Sequence, residues 1–166
     1  MKLEEGKNKF RMLSDIVTGY EYWTNDNKPV RQKEDWKGGL PSDAKPDYNG
    51  GPQKSKHFWA FVVWNYATEQ VEILSITQKT VQKQMLAWYD NDEWGDPKGY
   101  DITITKSGQG RDTEYVVQPS PAKPLNPEIK KAYQSMTIDL DQLYEGGNPF
   151  IDTADDYVDD ADLENL

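Results

Sequence analysis

Cysteine is absent from this chain, and histidine occurs once, at His57. Without cysteine there is no disulfide, no thiolate-held zinc and no iron–sulfur cluster. One histidine cannot build a His-rich metal site, so no metal and no cofactor are expected. The lack of thiols fits a reducing compartment, and the cytoplasm is the expected location. Long apolar runs are missing too. No stretch approaches the about 20 apolar residues of a membrane span, and no membrane partner is expected. The opening MKLEEGKNKF, with two glutamates, has none of the apolar run of a signal peptide. Apolar residues make up only 36% of the chain, which predicts that part of it carries no core. Aromatic residues are plentiful, with 6 Trp, 10 Tyr and 4 Phe. Such rings either fill a small core or offer flat platforms to bases.

Basic residues are lacking at one end. The net charge of the 166 residues is −10, and no lysine or arginine follows Lys131. Ten acids do: Asp139, Asp141, Glu145, Asp152, Asp155, Asp156, Asp159, Asp160, Asp162 and Glu164. Removing those ten from the 29 acids leaves 19 against 19 bases in residues 1–131. The body is therefore neutral, and the excess sits in an arm. This predicts a folded domain over 1–131 and an acidic tail over 132–166, disordered from about Gly146 because its apolar content cannot offset ordering entropy.

Residues 10–23, FRMLSDIVTGYEYW, read as a long strand interrupted at Gly19, the expected site of a bulge or bend. Residues 24–56 have loop composition, with seven bases against five acids. Residues 58–66 (FWAFVVWNY) and 71–77 (VEILSIT) are strands joined by a short turn, hence an antiparallel hairpin. From 78 to 89 the period changes: Val81, Met85 and Trp88 form a helical stripe, with Thr77 as N-cap and Gly95 and Pro97 barring continuation. Residues 100–106 and 113–118 are two more strands joined at SGQG, followed by four prolines in QPSPAKPLNP. A short helix is expected at 128–133 and a turn at 140–144.

Five strands with a helix between the third and fourth is the order of an OB-fold, a mainly β Greek-key barrel, here with a long loop between strands 1 and 2. A generic α+β sheet on one helix is the alternative. The OB-fold binds oligonucleotides on the face of strands 2 and 3, between the 1–2 and 4–5 loops. Both of those loops are basic in this sequence.

The segment 100–125, YDITITKSGQGRDTEYVVQPSPAKPL, resembles the last barrel hairpin of phage-encoded single-stranded DNA-binding proteins. KHFWAFVVWNYATEQVEILSITQKTVQKQMLAWYDNDEWGDP looks like that family's central hairpin and helix, and FRMLSDIVTGYEYWTNDNKPVR like its opening strand. The likeness covers roughly residues 10–125 and leaves 37–56 unmatched. It implies an OB-fold, sequence-tolerant binding of single-stranded DNA, a role in phage replication or recombination, and a bacterial host cytoplasm. No catalytic residue is implied.

The contact residues come from the sequence itself. Trp36, in a polar loop between Lys33 and Lys37, is the first choice for stacking a base. Pairing Tyr66 with Val71 puts Phe61 and Val63 on an apolar face and Trp64 and Tyr66 on a mixed one. Because a one-residue slip exchanges the faces, Trp59 is kept as well. Lys28, Arg31, Lys54, Lys56, Lys106 and Arg111 are the expected phosphate contacts. In the tail, Phe150, Tyr157, Leu163 and Leu166, among acids such as Asp159 and Asp160, would meet phage or host replication proteins. The overall −10 suggests a competing function, an acidic protein-interaction or DNA-mimic module. A third, a metal-dependent nuclease on Asp92, Glu93 and Asp96, lacks acids from other strands and a catalytic base in reach. SGQG lacks the strand–loop–helix setting of a phosphate loop, and Asp90–Gly95 puts Trp94 where a calcium loop needs an oxygen ligand.

Overall fold

The apolar and β-branched runs form an antiparallel sheet, and its centre is the longest of them. The computed structural model describes residues 1–151. The strands are β1 (Gly6–Met12), β2 (Val17–Trp23), β3 (Pro29–Gln32), β4 (Lys56–Asn65), β5 (Gln70–Ile76), β6 (Asp101–Ser107) and β7 (Glu114–Pro119). Helix α1 (Lys79–Tyr89) follows β5. One edge of β4 pairs with β5 along its length. The other pairs first with β2 and then with β1, whose far edge carries β6 and then β7.

The expected opening strand is thus two strands, and the break lies at 13–16, not at Gly19. There the Leu13 N–H donates to the Val62 carbonyl at 2.8 Å. The Ser14 hydroxyl accepts from the Val62 N–H at 2.8 Å, so a side chain keeps the β4 ladder satisfied across the bend. Gly19 has a different task. A Cβ there would lie 2.5 Å from the Gln32 carbonyl oxygen, 2.9 Å from the Phe58 ring and 3.1 Å from Tyr144.

The β4–β5 hairpin pairs Trp64 with Val71 and Phe61 with Leu74, two residues away from the expected register. A shift of two preserves the faces. Trp59, Phe61 and Val63 enter the core with Leu74, Ile76, Val81 and Met85. On the opposite face Phe58, Ala60 and Val62 are also buried, while Trp64 and Tyr66 are half-exposed.

The strands do not close into a hydrogen-bonded barrel: β5 and β7 are unpaired with each other, and α1 packs against β7. Two glutamines stitch this opening. Gln84 Nε2 donates to the Tyr115 carbonyl at 2.9 Å, and its Oε1 accepts from the Val117 N–H at 3.0 Å. Gln82 Nε2 donates to the His57 and Ile76 carbonyls, each at 3.0 Å. The helix begins after Gln78 with no side-chain cap, so the expected Thr77 cap is not used.

Order does not stop at Lys131. Helix α2 (Pro127–Gln134) is capped by the Asn126 side chain, with proline in its first turn. Strands β8 (Thr137–Ile138) and β9 (Phe150–Ile151) pair around a 3-10 turn at Leu140–Glu145. That turn lays Tyr144 against Phe58, ring centroids 6.1 Å apart, with its hydroxyl donating to the Thr18 carbonyl at 2.6 Å. The expectation of a disordered arm is therefore corrected for 146–151, and the acidic stretch 139–145 is part of the fold. No helix among the described residues is long and apolar enough to cross a membrane.

Candidate nucleic-acid interface

Residues 24–55 carry little apolar content, yet polar side chains fold them onto β2. Strand β3 forms inside this stretch, and Thr24 and Ala44 make an isolated bridge. Gln53 accepts from the Trp23 N–H at 2.7 Å and donates to the Trp23 and Lys45 carbonyls, both at 2.8 Å. The Tyr22 hydroxyl donates to Asp43 at 2.7 Å. Burial, then this bond to a carboxylate, pushes the Tyr22 phenol above its ordinary pKa, which keeps it a donor.

This folding arranges a stripe in which rings and cations alternate. Trp23 is exposed at the end of β2, and the Lys45 ammonium lies 5.9 Å from its ring centroid while donating to Asn27 at 2.9 Å. Three residues on, Tyr48 stands on a turn that Asp47 braces by accepting from the Asn49 and Gly51 N–H groups, both at 2.9 Å. Tyr48 is 81% exposed, the most open large aromatic among the described residues. The Arg111 guanidinium lies 5.5 Å from its ring centroid and donates to its hydroxyl at 3.1 Å. The loop between β3 and β4 therefore reaches the turn between β6 and β7. Gly108 shapes that turn: its φ is +80°, and a Cβ would lie 2.2 Å from the Asp112 carbonyl oxygen.

The expected contact residues divide between places. Arg111 joins the stripe, and Lys28 and Lys54 are exposed next to Asn27 and Gln53, which help build it. Lys56 is exposed on β4 opposite Glu21. Three of the expected contact residues are engaged within the fold. Trp59 is a core residue, 7% exposed, because its face of β4 meets α1. Arg31 is ion-paired with Glu21 at 3.6 Å and lies over the Phe58 ring, so its charge is already engaged. Trp36 folds back onto Tyr22, edge to face with centroids 4.9 Å apart, and is half-buried instead of standing free in its loop.

Trp64 and Tyr66 lie at the other end of β4. The Lys9 ammonium sits 4.8 Å from the Tyr66 ring centroid, and the Tyr66 hydroxyl donates to Asp101 at 2.7 Å. Lys106 is half-buried opposite Tyr115. Phe150 is half-buried in β9, while Tyr157, Asp159, Asp160, Leu163 and Leu166 lie outside the described residues.

Sequence reasoning missed Trp23 and Lys45 and left Tyr48 without a role. The signal was present in the spacing of Trp23, Lys45 and Tyr48 around Asn, Asp and Gly turn residues. It needed the Gln53 bonds to bring them together. Among the described residues no group of three His, Asp or Glu side chains is placed to hold a metal ion. No protein-family model, no curated protein and no solved structure matches the chain.

Proposed function

We propose that this protein binds single-stranded DNA without sequence preference, in phage DNA replication or recombination, and that it does so as an OB-type domain. The contact between the Tyr48 loop and the Arg111 turn carries this reading. In an OB-fold these are the two loops that flank the oligonucleotide, and here each brings what a single strand needs. Trp23 and Tyr48 offer ring faces to bases, while Lys28, Lys45, Lys54 and Arg111 offer charge to phosphates. The strand order supports the same reading: β5, β4, the bent β1–β2 pair, β6 and β7, with α1 between β5 and β6. The gap filled by α1 is where an OB barrel would pair its third and fifth strands.

The neighbouring outer face of β4 is not offered in the same way. Phe58 is covered by Tyr144, and the Lys33 ammonium lies 5.6 Å from the Tyr144 ring. We therefore assign the binding stripe to the loops and not to the middle of the β4–β5 hairpin.

A fluorescence titration of the full chain with oligo-dT tests the proposal. Stacking on Trp23 quenches its emission. The logarithm of the affinity falls with the logarithm of salt concentration at a slope of roughly −0.7 per phosphate contacted. Absence of binding at low salt would overturn the reading and favour a protein-interaction module.

A further inference from the structure

A second surface, apart from the stripe, has the opposite electrostatic sign. A cleft of about 320 Å³ opens between α1, the bend joining β1 to β2, and Tyr100 at the start of β6. That volume is near the lower end of the roughly 300–1,000 Å³ of ligand sites. It suits one or two side chains, not an extended small molecule. Its walls are apolar, with Ile16, Met85 and Trp88 deep and Leu86 and Tyr89 outside. Leu86 is 45% and Tyr89 58% exposed, an unusual placement for two large residues three apart on one helix.

The rim is acidic. Asp15 and Asp96 line the cleft, and Asp90, Asp92 and Glu93 are exposed in the turn that leaves α1. Lys98, the one basic residue lining the cleft among those described, pairs with Asp15 at 2.6 Å and Asp96 at 3.7 Å, and the three carboxylates of the turn lie beyond the lining itself. Such a rim repels phosphates and repels the acidic C-terminal stretch of this same chain. Tyr100, 1% exposed, closes the floor of the cleft.

The geometry points to a docking site for a basic, apolar-anchored peptide segment of a partner protein. An aliphatic or aromatic side chain fills the cleft, and lysine or arginine meets Asp15, Asp96 and the exposed carboxylates of the turn after α1. Charge and shape select the occupant together. A purely apolar ligand would leave the carboxylates unanswered, and a purely basic one would leave Leu86 and Tyr89 in water. This inference does not depend on DNA binding at the stripe.

The test is amide chemical-shift mapping of the full chain against three synthetic decapeptides. The first carries lysines with leucine and tryptophan anchors, the second has serine at the anchors, and the third has glutamate for lysine. The anchored basic peptide is expected to shift Ile16, Leu86 and Tyr89. The other two peptides are expected to bind at least about tenfold more weakly. Leu86→Lys, and Asp15→Lys with Asp96→Lys, alter exposed side chains and are each expected to weaken the first peptide about tenfold. Shifts confined to residues 139–166, equal binding of the serine peptide, or oligo-dT shifting the same three residues would each overturn the inference. The three peptides on the unmodified chain decide the matter even if a variant fails to fold.

Discussion

Asp101 is fully buried and is held by four groups. Lys123 Nζ lies at 2.8 Å, the Tyr66 hydroxyl donates at 2.7 Å, and Arg11 and Lys9 approach to 3.6 and 3.7 Å. Burial pushes its carboxyl pKa upward. The bonds from Lys123 and Tyr66 and the nearby positive charges outweigh burial and hold it below the usual carboxylate value. A depressed folded pKa means the site stabilises the fold above the unfolded Asp value, near about 3.9. That contribution is lost as pH falls through the lower folded value. Asp101→Asn leaves Arg11, 3% exposed, without its counter-ion, although Arg11 still donates to the Lys98 and Lys123 carbonyls, each at 2.8 Å. The expected cost at pH 7 is therefore the low end of breaking a buried pair, about 3 kcal/mol. In urea unfolding the gap between the two proteins is expected to narrow steadily below about pH 4. A gap independent of pH would remove the charge from the explanation. Gly19→Ala tests packing at the same scale. Its added methyl meets the Gln32 backbone, which cannot rotate away, and a loss of about 1–3 kcal/mol is expected in the same assay. Sequence indicated that Gly19 mattered. It could not tell a bend from a close approach, because glycine suits either, and the positions of the Gln32 carbonyl, Phe58 and Tyr144 distinguish them.

Among the elements, β4 to β7 and α1 were legible because each buries a periodic apolar face, whereas β1 and β2 read as one strand and β3, β8 and β9 are too short to show a period. What joins them was not, because polar side chains do the joining. Ser14 bridges the bend, Gln53 folds the loop, and Gln82 and Gln84 hold α1 across the gap between β5 and β7. Serine and glutamine have no periodic signature, so their roles depend on which backbone groups they reach. Gln84→Ala leaves the Tyr115 carbonyl and the Val117 N–H without their bonds. A loss of about 1–3 kcal/mol is expected, with faster amide exchange at Val117 than in β6. Tyr48 behaves differently. Being exposed, it can be removed with little effect on stability, whereas the loss of one stacking platform is expected to weaken oligo-dT binding by about 1–3 kcal/mol. Unchanged affinity in Tyr48→Ala would move the binding surface away from the stripe.

At the scale of the molecule, the ten acids of the acidic end fall into two groups. Asp139, Asp141 and Glu145 belong to a stretch that packs Tyr144 onto Phe58, so they are tied to stability. The seven acids from Asp152 onward lie outside the described residues, and removing them takes the formal charge from −10 to −3. Truncation after Ile151 and truncation after Lys131 therefore have different consequences. The first leaves the Tyr144–Phe58 contact intact and reduces the repulsion that an approaching strand meets. It is expected to tighten oligo-dT binding at low salt and to change little at high salt, where the Debye length falls to about 3 Å at 1 M. The second also uncovers Phe58 and removes the Tyr144 bond to Thr18, so it is expected to lower the unfolding midpoint as well. Paired titrations at two salt concentrations, read beside thermal unfolding of the same proteins, separate these effects. If truncation after Ile151 tightens binding equally at both salt concentrations, the seven acids act by occupying the site and not through their field.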